Sequence, residues 1–314
     1  MVDRAVTVRR TGWPAEPVRP AGSLTMGKKS RRRVKPAKAA TMPFVARTFE
    51  GLPGECDWVA LREIVPSATA TIKIAADAGA GSDRSVRVCS LLPGGGAGLV
   101  RPDGDIWLGL QVQHNFGDIS RDLAAVVELA MVAEPASEVA LLEPPGVGRR
   151  LQDLVDPASD FDVTVHEGFD FWVEGADDPT GDLADALGAA NEAVAPTVRL
   201  SSVEAAYRTD MGERQYLRWV QPHDEERLLT ALARLRAAGR DAVTDSTRLI
   251  GMFRAHGLLV PVWELDDAAS AEALEEPAAA FGSTVDEMMA DTSDLTTAER
   301  SARNALATRQ LTIR

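Results

Sequence analysis

The stretch PFVARTFEGLPGECDWVALREIVPSATATIKI, residues 43–74, decides where the fold begins. Its GLPGE turn precedes Asp57, a residue type that favours the N-cap of a helix. Two turns of amphipathic helix then cover residues 58–65 and stop at Pro66. Residues 69–74 alternate apolar and polar side chains with the two-residue period of a half-buried strand. This order predicts that a folded body starts within the stretch.

The composition of the 314 residues, 45% hydrophobic and 26% charged, is that of an ordinary soluble protein. No window approaches 18 consecutive apolar residues, and the N-terminal residues lack the apolar core of a signal peptide. We therefore expect a cytoplasmic protein with no membrane partner. The two cysteines, Cys56 and Cys89, are too few for a disulfide framework or a four-ligand metal site, and we expect reduced, inert thiols.

Charge divides the chain into a basic leader and an acidic body. Residues 1–40 hold eleven Lys and Arg residues and two acids, a net charge of +9, which leaves −22 for residues 41–314. The leader has no hydrophobic periodicity and contains four prolines, so we predict that residues 1–42 are disordered. The basic run follows Met26 directly, which makes Met1 and Met26 alternative translation starts.

Between the opening stretch and residue 150, the pattern predicts three strands, a helix and a linker. The helix begins after Gly117-Asp118 and ends before Pro135, with apolar residues on one face. The linker is PPGVG, residues 144–148, where we place a subdomain boundary. The predicted strands cover residues 86–92, 99–101 and 106–112.

Beyond the linker, two hairpins are predicted. Residues 161–174 form the first with a three-residue loop, so that its Phe and Val side chains share one face. Residues 202–209 and 214–221 form the second, in which a four-residue loop places Tyr207 opposite Tyr216. The predicted strands contain Trp107, Trp172, Trp219 and Trp263.

Helices dominate the rest of the chain. The exception is a strand at residues 258–265, which Pro261 would confine to a sheet edge. Helices are predicted at residues 181–194 after the capping Thr180, 224–238, 246–256, 271–290 and 296–311.

These elements predict an α+β fold of mainly antiparallel sheets with flanking helices. Residues 151–157 and 61–66 share the pattern of LQDLVDP and LREIVP, so two related halves are one hypothesis for its origin. The predicted organisation is a disordered basic leader (1–42), a first α+β half (43–143), a second α+β half (150–265) and an acidic, then helical tail (266–314).

No motif in the chain indicates a catalytic residue or a cofactor. GSLTMGKKS, residues 22–30, differs from a phosphate-binding loop because Lys29 replaces the hydroxyl residue and no strand precedes it. The glycines of residues 94–98 precede a strand and not a helix, which favours a hairpin loop. No Gly-x-Ser-x-Gly elbow is present, and neither cysteine has an adjacent histidine.

One face of the first predicted hairpin carries polar side chains that metals accept. Their spacing matches no Ca²⁺ or Zn²⁺ motif, so we predict a solvated face and no metal site. The other histidines, His114, His223 and His256, stand at ends of predicted elements, where capping explains them. The polar residues of that face are Asp162, Thr164, His166, Asp170 and Glu174.

The basic run of residues 26–38 is the strongest functional signal. Seven positive charges without acids or aromatic residues favour phosphate backbones through counterion release, and not base stacking. The run lacks the apolar face that membrane binding needs. A tail that folds back on the acidic body is the alternative. The candidate nucleic-acid-binding residues are Lys28, Lys29, Arg31, Arg32, Arg33, Lys35 and Lys38.

The sequence MGKKSRRR and residues 43–72 together resemble the start of an actinobacterial family of uncharacterised proteins, known as a domain of unknown function. The likeness continues through YLRWVQP, residues 216–222, to about residue 265. Members carry automatic names such as topoisomerase or preprotein translocase ATPase, for which this chain offers no phosphate loop. The family has no assigned reaction, so the resemblance implies no site residues.

We therefore expect a non-catalytic interaction protein whose leader tethers it to RNA or ribosomes, with an unknown protein partner. Two alternatives belong to other classes. One is a small-molecule or metal-dependent enzyme with its site between the halves. The other is a structural partner that docks into a protein assembly through its acidic body.

Overall fold

The computed structural model describes residues 45–79, 84–113, 115–174, 182–266 and 269–308. Within these ranges the chain forms six α-helices and two mostly antiparallel sheets, which confirms the predicted α+β class.

Along the chain, all strands of the first sheet precede those of the second, and helices lie between groups of strands. The helices are α1 (Glu55–Glu63), α2 (Ile119–Val132), α3 (Asp182–Glu192), α4 (Glu225–Ala237), α5 (Ala271–Ala290) and α6 (Thr297–Thr308). The first sheet contains β1 (Ala68–Lys73), β2 (Ser85–Cys89), β3 (Gly98–Val100), β4 (Ile106–Gly109), β5 (Ser137–Val139) and β6 (Thr164–Val165). The second contains β7 (Thr197–Arg199), β8 (Ala206–Asp210), β9 (Gln215–Trp219), β10 (Thr247–Ala255) and β11 (Leu258–Leu265).

The two sheets differ in topology. The first has the order β5-β3-β4-β2-β1-β6 with a parallel β2–β4 pair, whereas the second has the order β10-β11-β9-β8-β7 and is antiparallel throughout. Strand β6 follows the predicted linker but pairs with β1 in the first sheet. The sheets therefore give the hypothesis of related halves no support, and the division of the chain at residues 143 and 150 stays a prediction.

Helix α1 begins three residues earlier than the sequence predicts, at Glu55. Gly54 adopts the left-handed conformation, with φ of 66°, and its carbonyl accepts the first helical hydrogen bonds. A Cβ at Gly54 would lie 2.8 Å from Cβ of Phe161, so close packing also requires glycine here. The predicted N-cap at Asp57 is wrong, because this residue lies inside the first turn and is buried.

The second sheet lies between two hydrophobic clusters. One of its faces, which includes Tyr207, Phe253 and Val260, shares a core with α1 and the first sheet. The opposite face, which includes Trp219 and Trp263, packs against α4, α5 and α6. Burial on both faces explains why the first six residues of β11, LLVPVW, are all apolar.

The helix predicted at residues 246–256 is wrong, because this segment forms strand β10. Its pairing with β11 is interrupted by a bulge between Leu249 and Gly251. The bulge places Leu249 and Met252 in the same cluster, although a regular strand would separate residues three apart onto opposite faces. A three-residue apolar spacing is typical of helices, which is why the sequence was misleading.

The prediction that Pro261 marks a sheet edge is also wrong. Strand β11 lies between β10 and β9, and its pairing with β9 covers Val262 to Leu265. The next contact on that side is an isolated bridge between Leu259 and Gln221. Pro261 therefore falls in a gap of the β9–β11 ladder, while on its other side it pairs with Met252 of β10.

The hairpin predicted at residues 161–174 does not form. Only Thr164 and Val165 belong to a strand, and Asp170–Val173 form a 3-10 helix. Phe169 stacks on Trp172 at a ring distance of 4.3 Å, and both are buried in a small aromatic cluster beside the first sheet. Aromatic burial outweighs the alternation of the sequence here, so Trp172 is not a strand residue.

The β8–β9 hairpin is confirmed, but its predicted register is wrong. The observed pairs are Thr209 with Tyr216 and Tyr207 with Arg218. The two tyrosines are therefore not opposite each other. Tyr207 is fully buried, and the hydrogen bond of its hydroxyl group, described below, explains this placement.

The helix caps predicted at Asp118 and Asp224 are confirmed. Asp118 accepts a hydrogen bond from Ser120 N (3.2 Å) at the start of α2, and Asp224 accepts one from Arg227 N (3.0 Å) at the start of α4. Helices α3, α5 and α6 also match their predictions, although Thr180 and residues 309–311 lie outside the described residues. Leu306 of α6 is buried in the cluster that α4 and α5 also form, so the last helix contributes to this core.

The β10–β11 turn generates a stability prediction. Gly257 has a φ of 86°, and a Cβ there would overlap the carbonyl oxygen of Ala46. Gly239 has a φ of 66°, but a Cβ there would contact nothing within 4 Å. Gly239→Ala should therefore show only the left-handed penalty of about 1 kcal/mol. Gly257→Ala should lower the free energy of unfolding in urea by at least about 1 kcal/mol more; equal losses would contradict the close approach.

Candidate functional site

The predicted nucleic-acid site is not part of the structural description. Lys28, Lys29, Arg31, Arg32, Arg33, Lys35 and Lys38 all lie outside the described residues, as does His114.

The polar residues that we predicted on one hairpin face do not share a hairpin, because that hairpin is absent. His166 instead lies 2.9 Å from Oγ1 of Thr69 through its Nε2 atom, and its ring is 4.7 Å from the ring of Phe171. Burial lowers the pKa of His166, which favours its neutral form. In the described part of the chain, no group of three or more His, Cys, Asp or Glu side chains is arranged to hold a metal ion.

Both cysteines are free and buried. Burial raises the pKa of Cys89 to about 12, and burial together with the nearby Glu204 raises the pKa of Cys56. Neither thiol is therefore available as a thiolate nucleophile near neutral pH.

A buried carboxylate joins α1 to the second sheet. Asp57 accepts a 2.6 Å hydrogen bond from the hydroxyl group of Tyr207 and a 2.9 Å hydrogen bond from Nη2 of Arg199. The Asp57 side chain is only 4% exposed. We call these three residues the Asp57 network.

The electrostatics of the Asp57 network favour structure over catalysis. Burial and the Asp57 carboxylate raise the pKa of Tyr207 well above its usual value, so its hydroxyl group stays protonated and donates. An activated nucleophile would need the opposite shift. Burial opposes the charge of Arg199, but the hydrogen bonds to Asp57 outweigh burial and raise its pKa. Glu204 nearby has a raised pKa, caused by burial and by the Asp57 charge.

A polar depression of about 310 Å³ lies where α1 ends; we call it the α1-end depression. Loop residues that follow β4 form its other wall. Gln111 fixes that loop, because its Nε2 donates to the carbonyl oxygens of Leu61 and Val65, both at 2.8 Å. The lining residues are Arg62, Glu63, Gln111, Val112 and Gln113.

The Glu63 carboxylate in the α1-end depression is held in place by the buried side chain of His256. Oε1 of Glu63 lies 2.8 Å from Nε2 of His256, whose Nδ1 is 3.3 Å from Oγ1 of Thr48. The His256 side chain is 8% exposed and that of Glu63 is 30% exposed, so only the carboxylate reaches the surface. The hydrogen bond to His256 lowers the pKa of Glu63, with help from the charge of Arg62.

Arg62 is the other charged group of the α1-end depression. Its side chain is 8% exposed, and Nη1 donates to the carbonyl oxygen of Leu110. Its buried Nε has no hydrogen-bond acceptor among the described residues, and the nearest carboxylate oxygen, Oε1 of Glu63, lies 3.6 Å away. Burial lowers the pKa of Arg62, because it disfavours the charged guanidinium group.

A second depression, of about 250 Å³, lies at the start of α4. Its carboxylate, Asp224, already caps the helix, and its imidazole, His223, lies 3.7 Å from Asp286. Burial lowers the pKa of His223. The lining residues are Pro222, His223, Asp224, Arg227 and Met289.

Sequence reasoning missed both clusters at α1. Asp57 was predicted to be an N-cap, and Arg62 and Glu63 were predicted only to lie in the helix that follows it. Their partners Arg199 and His256 lie 142 and 193 residues away, so no local spacing could reveal them.

The fold and these clusters define an α+β protein with a buried charge network and a polar surface depression. The chain belongs to DUF5926, a family of unknown function, whose model matches residues 48–314 and so confirms the family resemblance. No curated protein and no solved structure matches it. In the described ranges, no helix is long and apolar enough to cross a bilayer.

The Asp57 network predicts unequal effects for the two tyrosines. Tyr207→Phe removes a donor from a buried carboxylate and should lower the free energy of unfolding by about 1–3 kcal/mol. Tyr216→Phe, at the only other tyrosine, is the matched control and should change it by less than about 0.5 kcal/mol. Urea denaturation followed by tryptophan fluorescence measures both. Similar values for the two variants would show that the network adds no stability.

The Glu63–His256 contact predicts a pH dependence. Because the folded-state pKa of Glu63 is lowered, its contribution to stability is present above the usual Glu range and is lost as the pH falls through the folded-state value. Glu63→Gln should therefore destabilise the protein more at pH 6 than at pH 3.5 in urea denaturation. Glu287→Gln, on the exposed side of α5, is the control. A loss for Glu63→Gln that is independent of pH would contradict the assignment.

Proposed function

We propose that the protein is a cytoplasmic, non-catalytic interaction protein that its basic leader tethers to RNA, including ribosomal RNA. The observation that carries this proposal is the segregation of charge between a leader of +9 and a body of −22. The automatic enzyme names of the resembled family play no part in it.

The chemistry of the leader favours phosphate contacts. Seven positive charges occur within residues 26–38, where no acid and no aromatic side chain is present. Such a run neutralises phosphates and releases counterions, but it cannot stack on bases or read their edges. Binding should therefore depend strongly on salt and weakly on RNA sequence.

The negative charge of the body also favours RNA binding through the leader alone. A net charge of −22 repels a phosphate backbone, so the affinity for RNA must come from the leader. The body remains available for an unidentified protein partner.

The junction between leader and body is held by several hydrogen bonds. Thr48 N donates to the carbonyl oxygen of His256 (3.2 Å), and the carbonyl oxygen of Thr48 accepts from Arg150 Nη2 (2.8 Å) and Gln152 Nε2 (3.0 Å). A tether attached at this point would keep the body close to the bound RNA.

Salt-dependent RNA binding tests the proposal. The full chain is titrated against a labelled single-stranded RNA at about 50 and 200 mM salt. Seven phosphate contacts predict a salt slope of about −5 and hence an affinity loss of roughly a thousandfold over this range. A variant with Gln at all seven basic positions of residues 26–38 should lose most of the salt-sensitive binding, whereas Arg→Lys exchange at the three arginines of this run should preserve the slope.

Two further measurements separate this tether from its alternatives. A peptide of residues 26–42 should bind at least as tightly as the full chain at low salt, because it lacks the repulsive body. Co-sedimentation with ribosomes should follow the same salt dependence. Absence of RNA binding at 50 mM salt would overturn the proposal, as would tighter binding to anionic lipid vesicles than to RNA.

A further inference from the structure

The α1-end depression is lined by two oppositely charged side chains, Arg62 and Glu63, whose hydrogen-bonding groups are only partly satisfied within the described residues. Arg62 has a buried Nε without an acceptor, and the Glu63 carboxylate contacts His256 through Oε1 and is partly exposed. A buried N–H group without a partner is unfavourable, and it is rare in native proteins. Both residues line the same depression, so a ligand there lies next to both charges, while the Nε atom itself is closed to solvent.

We propose that the α1-end depression binds a small zwitterion of the α-amino acid class, with its carboxylate at Arg62 and its ammonium group at Glu63. This site is separate from the leader and does not depend on RNA binding. The proposal concerns binding and includes no chemical step.

Charge favours a zwitterion over a simple ion. An anion at Arg62 would face the carboxylate of Glu63, and a cation at Glu63 would face the guanidinium group of Arg62. The C-terminal end of α1 adds a negative dipole beside Glu63, which favours an ammonium group there and disfavours a lone anion. A ligand with both charges meets a complementary group at each end.

Distance favours a short zwitterion. Nε of Arg62 lies 3.6 Å from Oε1 of Glu63, the oxygen that His256 holds, so the guanidinium group and the carboxylate are direct neighbours and the two ligand charges must be close as well. In an α-amino acid the carboxylate and the ammonium group are attached to the same carbon. A molecule with its charges at opposite ends of a long chain cannot meet both residues in this way.

The volume and the lining set the scale of the ligand. About 310 Å³ lies at the lower end of small-molecule sites, which suits a single amino acid. Val112 supplies an apolar wall for a small side chain, while Gln111 is fixed by its two backbone contacts and keeps the loop in place.

The orientation of Glu63 supports recognition of an ammonium group. His256 holds Oε1, which leaves Oε2 to accept from a ligand, and the ring of His256 is fixed by Phe49 at a ring distance of 5.0 Å. A second carboxylate near Arg62, that of Asp122, accepts a 2.6 Å hydrogen bond from Phe116 N and helps to keep the guanidinium group charged. The titratable groups facing the pair are therefore His256 and Asp122.

The test is an NMR titration of the ¹⁵N-labelled full chain with glycine and L-valine. Saturable shifts at millimolar ligand should map to the backbone amides of residues 62–64 and 111–113. Acetate, methylammonium and 6-aminohexanoate are the matched probes, because each lacks one charge or separates the two. We expect each to bind at least tenfold more weakly than glycine.

Variants separate recognition from a structural role. Glu63→Gln should weaken glycine binding at least tenfold but strengthen acetate binding, because the repelling carboxylate is gone; loss of structure alone would not produce this reversal. Arg62→Gln should weaken both probes. If Arg62→Gln does not fold, the opposite changes in glycine and acetate binding by Glu63→Gln are sufficient to test the proposal.

The second depression provides the control. Arg227→Gln, at the start of α4, should leave glycine binding unchanged. Three results would overturn the proposal: no localised shifts at 50 mM glycine, equal binding of acetate and glycine, or shifts that map to the second depression. None of these bears on RNA binding by the leader, which the salt titration tests separately.

Discussion

The hydrogen bonds that Asp57 accepts from Tyr207 and Arg199 are the constraint on which the arrangement of the two sheets depends. A carboxylate that is 4% exposed is tolerated only if its charge is paired and its oxygens are satisfied. Both donors come from the second sheet, whereas α1 packs in the core of the first. If the second sheet moved away from α1, the Asp57 carboxylate would remain buried without its partners. The hydrogen bonds therefore restrict the position of the second sheet relative to α1 more strictly than apolar contacts would.

The opposite end of α1 repeats this connection with different chemistry. Glu63 meets His256 in the turn between β10 and β11, and the carbonyl oxygen of His256 accepts from Thr48 just before the helix. A nine-residue helix is thus attached to the second sheet at both ends. The Asp57 end is closed and structural, while the Glu63 end opens into a depression. The difference in exposure decides which end can meet a ligand.

Local signals predicted much of the fold, and long-range contacts account for the rest. Asp118 and Asp224 mark helix starts that their immediate neighbours determine, and both were found as expected. The register of β8–β9 failed because Tyr207 is drawn to a carboxylate 150 residues away. The helix predicted at residues 246–256 failed because the bulge in β10 depends on its partner strand. Of the candidate sites, only the basic run can be predicted from the sequence. Both α1 clusters join residues that are far apart along the chain and meet only in the folded protein.

The ion pairs of the described body limit what its own positive charges can bind. Arginines of the described body are repeatedly held by carboxylates: Arg150 lies 2.7 Å from Asp118, Arg47 lies 2.6 Å from Glu55 and Arg149 lies 2.9 Å from Glu128. A guanidinium group that is already paired can reach a phosphate only by giving up its carboxylate. The acids in excess of these pairs give the body its negative charge. By composition, residues 1–40 have a net charge of +9 and residues 41–314 a net charge of −22, so an anionic polymer and a basic protein surface would be attracted to different parts of the same chain.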